Sequence, residues 1–188
     1  MEEIPTASNC WMEIARLRET SEIMKLYTDM AKEASRHSGG GFLVEEKRRE
    51  RIFLCPPIKA GMSEDEGEIF SFEYANRHGI NLGYPMGIMI SQENLLSVTA
   101  RPNYQYYFKR VKQGNAWKPA GLYAVAYGES EAAGSAEFFQ QLLDFIRAQD
   151  LEVVGNAYGE YLLDELAVQE PEHRCGRIEI PVKPAVHK

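Results

Sequence analysis

Nothing in this 188-residue chain approaches 20 consecutive apolar residues, so no segment is expected to span a membrane. Paired cysteines are also missing. Cys10, Cys55 and Cys175 are far apart, odd in number and form no CxxC, which argues against a disulfide framework and fits a reduced, cytoplasmic setting. Positive charge is in deficit. The net charge is -7 and the pI about 5.2, which disfavours non-specific nucleic-acid binding, a process that needs a positive surface to displace counterions. The first residues, MEEIPTASN, are acidic and carry no apolar run of the kind that marks a secretory signal.

The familiar signatures of chemistry are absent too. There is no Walker A motif, no GxGxxG and no GxSxG elbow, and Gly39–Gly41 lack the flanking strand and helix of a phosphate loop. His37, His78, His173 and His187 show neither HExxH nor zinc-finger spacing, so neither a metal nor a cofactor is expected. The acidic run Ser63–Glu68, SEDEGE, reads as a helix start, where the dipole favours acids, and not as a calcium loop. LRETSEIMKLYTDMA lacks the tight glycine turn of a helix-turn-helix.

What is present reads as one ordinary α+β domain with an N-terminal appendage. Hydrophobic residues make up 44%, enough for a sizeable core. Residues 11–36 contain neither Gly nor Pro and predict a helix. Ile14, Leu17, Met24 and Ala31 fall near heptad spacing, interrupted by Ser21 and Thr28, so this helix either packs on its own domain or pairs with a second copy. The glycines at 39–41 suit a flexible joint, which divides the chain into residues 1–41 and 42–188.

From Phe42 a pattern recurs. Phe42–Cys55 predicts one long strand, and Ser63 with Glu66 predicts a capping box opening a helix to about His78. Gly83–Ser91 and Asn103–Lys112 predict two strands. Pro119–Tyr127 predicts a strand, and Glu131–Gln149 a helix with Phe139, Leu142, Leu143 and Ile146 on one face. Leu151–Leu163 predicts a strand or a bent pair, and Arg177–Val182 a last strand. Two β-α-β-β units imply a curved antiparallel sheet with both helices on one face.

Tyrosines concentrate in this second region. Tyr104, Tyr106 and Phe108 share one strand face, and Gln105, Tyr107 and Lys109 the other. Single tyrosines at strand spacing more often fill core, but a wall of them suits flat lipophilic ligands, and a cation over such a ring gains roughly 0.5–2 kcal/mol. The candidate ligand residues are Phe72, Ile88, Tyr104, Tyr106, Trp117, Tyr123, Glu160 and Tyr161. Glu160, within GNAYGEYLLDE, is either a surface charge or the acidic floor of an aromatic pocket.

PAGLYAVAYGES, LLDFIRAQDLEVVGNAYGEYLLDE and RIEIPV together resemble the GyrI-like small-molecule-binding domain. The same module is the effector-binding domain of MerR-type and some AraC-type multidrug-responsive regulators. GYPMGIMISQENL is similar to the family's first-repeat strand, and the resemblance covers about residues 42–183. It implies a duplicated βαββ fold whose central cleft binds lipophilic compounds, cationic ones among them, and residues 11–36 then correspond to a dimerising linking helix. Some relatives bind gyrase and others hydrolyse cyclopropane-containing compounds, a role in which Glu160 would be the general base or charge stabiliser with Tyr161 or Tyr123 as its hydrogen-bonding partner. No winged helix precedes residues 11–36 here, so this chain alone is not expected to touch a promoter. The family often has Tyr-Glu-x-Tyr-Leu where this chain has Tyr158-Gly159-Glu160-Tyr161-Leu162. That one-residue shift turns the acid to the opposite strand face unless a bulge at Gly159 restores it.

Overall fold

The structure is a computed structural model, and it describes residues 7–97, 105–129, 135–163, 168, 170 and 174–186. In chain order the elements are α1 (Ala7–Arg36), β1 (Gly41–Lys47), β2 (Glu50–Leu54), α2 (Glu64–Arg77), β3 (Met86–Ile90), α3 (Gln92–Leu96), β4 (Tyr106–Arg110), β5 (Ala116–Lys118), β6 (Gly121–Glu129), α4 (Ala136–Ala148), β7 (Leu151–Val153), β8 (Ala157–Leu163) and β9 (Cys175–Pro184). No helix among the described residues is long and apolar enough to cross a membrane.

The strands form an antiparallel sheet in the order β1-β6-β9-β8-β3-β4-β2-β5, with β7 paired to β9. The order reveals the duplication. The unit β2-α2-β3-β4 lies as β3-β4-β2, and the unit β6-α4-β8-β9 lies as β8-β9-β6. The halves meet where β3 pairs with β8, through Gly87↔Glu160, Ile88↔Gly159, Met89↔Tyr158 and Ile90↔Ala157. The α+β expectation, with a curved antiparallel sheet and two repeat helices on one face, is borne out.

One expected element divides. Phe42–Cys55 is two strands, broken at Arg48-Arg49. β1 pairs β6 at one side of the sheet and β2 pairs β4 at the other, so the chain crosses from one half to the other in a few residues. The short α3 and β5 were not expected from the sequence. Residues 131–134 of the expected second helix lie outside the described residues.

Local chemistry explains the two repeat helices. Ser63 accepts a hydrogen bond from the Glu66 N–H, and the Glu66 carboxylate accepts one from the Ser63 N–H at 2.8 Å, so the predicted capping box forms. Ser63→Ala is expected to cost about 1 kcal/mol, read as a lower urea midpoint at unchanged slope. α4 buries Phe139, Leu142 and Ile146 against Ala124, Ala126, Ile178, Ile180 and Val182, the side chains of alternate positions on β6 and β9. α2 covers the other half, above Phe53, Cys55, Tyr84 and Val111.

The opposite sheet face carries Ile52, Met89, Phe108, Tyr123, Val125, Tyr127, Tyr158 and Leu162, and α1 closes part of it with Met30 and Ala34. α1 also reaches the first half, where Ile23 and Leu26 pack beside Phe53 and Tyr84. The glycines between α1 and β1 make a turn, with Gly40 and Gly41 at φ 66° and 125° and the Gly40 N–H donating to the His37 carbonyl at 2.8 Å. Cys55 and Cys175 are buried free thiols, and Cys10 is exposed.

Candidate functional site

A cleft of about 410 Å³ opens on the helix face over the seam between the halves. From α2 come Glu64, Asp65, Glu68 and Phe72. β3 supplies Met86 and Ile88, β4 supplies Tyr107 and Lys109, and β8 contributes Gly159 and Tyr161. Tyr27 of α1 stands at its border. The position and the mix of apolar walls with few polar groups suit a small-molecule site.

Of the residues anticipated from sequence, Phe72, Ile88, Glu160 and Tyr161 border this cleft. Phe72 and Ile88 are half-buried, and Tyr161 is exposed. Tyr106 projects to the opposite face, against the cluster that holds Phe108 and Tyr158. Tyr123 is fully buried on that face, its hydroxyl donating to the Pro119 carbonyl at 2.8 Å. Trp117 sits on the edge strand β5, exposed, with the guanidinium groups of Arg49 and Arg51 stacked 3.7 and 4.4 Å from its ring centroid. Tyr104 lies outside the described residues.

Sequence reasoning missed Tyr107 and Lys109 as cleft residues. They belong to the strand face that shares Gln105 and not to the one that shares Tyr106. The signal was ambiguous, because both faces of NYQYYFKR carry an aromatic. Glu64, Asp65 and Glu68 were assigned only to the helix start, yet the same acids form the cleft rim.

Glu160 borders the cleft by its backbone position while its carboxylate turns to the α1 face. β8 pairs regularly from Tyr158 to Tyr161 with β9, and the irregularity comes later, between Tyr161 and Leu163. Gly159 therefore keeps the cleft-facing position and Glu160 the opposite one. The Glu160 carboxylate is ion-paired with Arg177 and lies 3.6 Å from the Arg110 guanidinium. Arg177 also binds Glu33 of α1 at 2.6 Å and approaches Glu179 at 3.3 Å, and Glu33 accepts a hydrogen bond from the Tyr127 hydroxyl at 2.7 Å. Arg110 pairs with Glu50 at 2.7 Å, and Glu179 pairs with Lys118 and, at 2.9 Å, with Lys47.

Burial by itself would raise the Glu160 carboxyl. The charges of Arg110, Arg177 and Lys118 outweigh it and hold the group at about 2. Such a carboxylate is a poor general base near neutral pH. Its depressed value stabilises the fold above the ordinary carboxyl value of 4.5, and that stability is lost as pH falls towards 2. The acid side of a stability–pH curve is therefore expected to be shallower between about pH 5 and 2 in Glu160→Gln, measured by urea unfolding at a series of pH values. Superimposable slopes for the two proteins would contradict it.

No family model matches the chain. Over 130 residues it is 32% identical to the multidrug-efflux transporter 2 regulator of Bacillus subtilis (strain 168), a match covering 66% of this chain and 44% of that protein. The chain resembles the effector-binding domain of MerR-type regulators. It spans less than half the length of that curated relative. Two solved structures share the fold. The crystal structure of the EcmrR C-terminal domain aligns with TM-score 0.53 at 11% identity, over 78% of this chain and 99% of that one. A chain of the EcmrR–DNA complex, from cryo-electron microscopy, aligns with TM-score 0.59 at 10% identity, over 93% of this chain and 72% of that one. At these identities the likeness is one of fold. On that fold, the ion network beneath the seam joins the duplicated sheet to α1 through Arg177 and Glu33.

Proposed function

We propose that this chain is a ligand-sensing domain that takes lipophilic aromatic small molecules in the cleft over the β3–β8 seam and passes the binding signal through α1 to a DNA-binding partner. The observation that carries the reading is the cleft itself, which joins Phe72, Met86, Ile88 and Tyr107 above the line where the two repeats meet. Similarity to a multidrug-efflux regulator supports the class of ligand and the DNA-binding partner. A cationic member of that class would meet only the exposed rim acids Glu64, Asp65 and Glu68 and not Glu160.

The test is a calorimetric titration of lipophilic aromatic compounds, charged and neutral, into the chain and into Ile88→Trp, whose bulkier side chain would fill the cleft floor. Saturable binding that Ile88→Trp weakens at least about tenfold is expected, a loss of about 1.4 kcal/mol. The absence of saturable binding across the panel, or equal binding by the variant, would sink the reading.

The outer part of α1 supports a second copy as its partner. Ile14, Leu17 and Met24, three of the four near-heptad positions, are 38%, 56% and 64% exposed although apolar, while the helix buries Met30 and Ala34 further on. A concentration-dependent dimer is expected in sedimentation equilibrium, and Leu17→Glu with Met24→Glu should shift it to monomer. A monomer at all concentrations would remove the dimer.

A further inference from the structure

The cleft holds one buried cation whose charge the protein leaves unmatched. Lys109 is 1% exposed and lines the cleft beside Tyr107. Its ammonium donates to the Leu82 and Tyr84 carbonyls at 2.9 and 2.7 Å and lies 4.7 Å from the Phe72 ring centroid. These partners are neutral. The other buried cations, Lys118 and Arg177 on the α1 face, each touch a carboxylate. Among the described residues no carboxylate lies within 4 Å of Lys109. The titratable groups that act on it are Cys55, just past β2, and Glu68 of α2. Burial holds the Cys55 thiol up at about 11, so it carries no charge near neutral pH, and Glu68 is exposed at the rim.

An ammonium has three donors, and two are committed here. Burying a charge without a counter-charge is costly, and an anion placed against it recovers part of that cost. On β8 the cleft-facing position is Gly159, which has no side chain, and the neighbouring Glu160 is spent on Arg177. The rim acids are solvent-exposed, where screening weakens them.

We infer that the inner end of the cleft is an anion site formed by Lys109, and that the preferred ligand is an aromatic carboxylate. Its ring lies among Phe72, Met86 and Ile88, and its carboxylate receives the third Lys109 N–H. The inference rests on the reading of this cleft as a small-molecule site. Burial lowers the Lys109 amine to about 8, a value that an adjacent anion would raise again.

The experiment compares naphthoate, naphthamide and naphthylmethylammonium by calorimetry at neutral pH, with the full chain and with Lys109→Met. The carboxylate is expected to bind about tenfold or more tightly than the amide, the value of one charge-assisted hydrogen bond, and the ammonium most weakly. Lys109→Met should remove the preference while keeping amide binding. Circular dichroism checks that the variant is folded, and if it is not, the ranking in the unaltered chain decides by itself. Equal affinity for carboxylate and amide, or tighter binding of the ammonium, overturns the anion site and leaves the cleft a ligand site. No saturable binding by any of the three overturns both.

Discussion

Arg177→Met should lower the melting temperature by about 10 °C. Its guanidinium is 4% exposed and serves three carboxylates, those of Glu33, Glu160 and Glu179. Removing it leaves Glu160 with Arg110 at 3.6 Å and the more distant charge of Lys118, in a site where that carboxylate is 1% exposed. Breaking a buried pair from one side costs about 3–5 kcal/mol, because the remaining charge is stranded. For a chain of this length each kcal/mol moves the melting temperature by about 2–4 °C. Glu33→Gln should cost much less, since Glu33 is 21% exposed and its loss leaves Arg177 two other acids. Scanning calorimetry on both variants checks the order. A drop for Arg177→Met no larger than for Glu33→Gln would mean that the network does not hold the sheet.

Gly87→Val is expected to cost 3 kcal/mol or more, roughly the upper range for overpacking a dense core. Gly87 is buried on β3, where the halves join, opposite Glu160 on one side and Phe108 on the other. A Cβ there would stand 2.5 Å from the Phe108 ring and 2.7 Å from the Gly159 carbonyl oxygen. The ring is 1% exposed in a packed cluster, and the carbonyl is backbone, so neither yields without moving a strand. Urea unfolding should show a midpoint far below the parent's, and amide exchange should be fastest in β3 and β8. A variant within about 1 kcal/mol of the parent would show that the seam tolerates separation.

The repeat helices were legible because their signals were local. Ser63 and Glu66 make a capping box within one turn, and Phe139, Leu142 and Ile146 mark a single apolar face. What the sequence hid depends on pairing between distant segments. FLVEEKRRERIFLC contains no Gly or Pro, so nothing local shows that its first half belongs beside β6 and its second beside β4. The cleft face of β4 was hidden because aromatics alternate on both sides. Only the packing of α2 decides that Tyr107 and Lys109 meet the cleft while Tyr106 meets Phe108 and Tyr158. The direction of Glu160 was open as long as a bulge at Gly159 was open. Regular register with β3 and β9 at that residue fixes it.

α1 grips both halves of the duplicated sheet. On the first, Lys112 and Asn81 hold Glu22 and Glu19. On the second, Arg177 and Tyr127 hold Glu33, and His37, just past the helix, stacks on the Tyr127 ring at 3.9 Å. The helix is thus a strut pinned at two points on either side of the β3–β8 seam. A guest that widens the angle between the halves cannot leave the strut unstressed: it must slip at one pin or tilt as a whole. Tilting swings the outer end of the helix, around the exposed Trp11, through the largest arc.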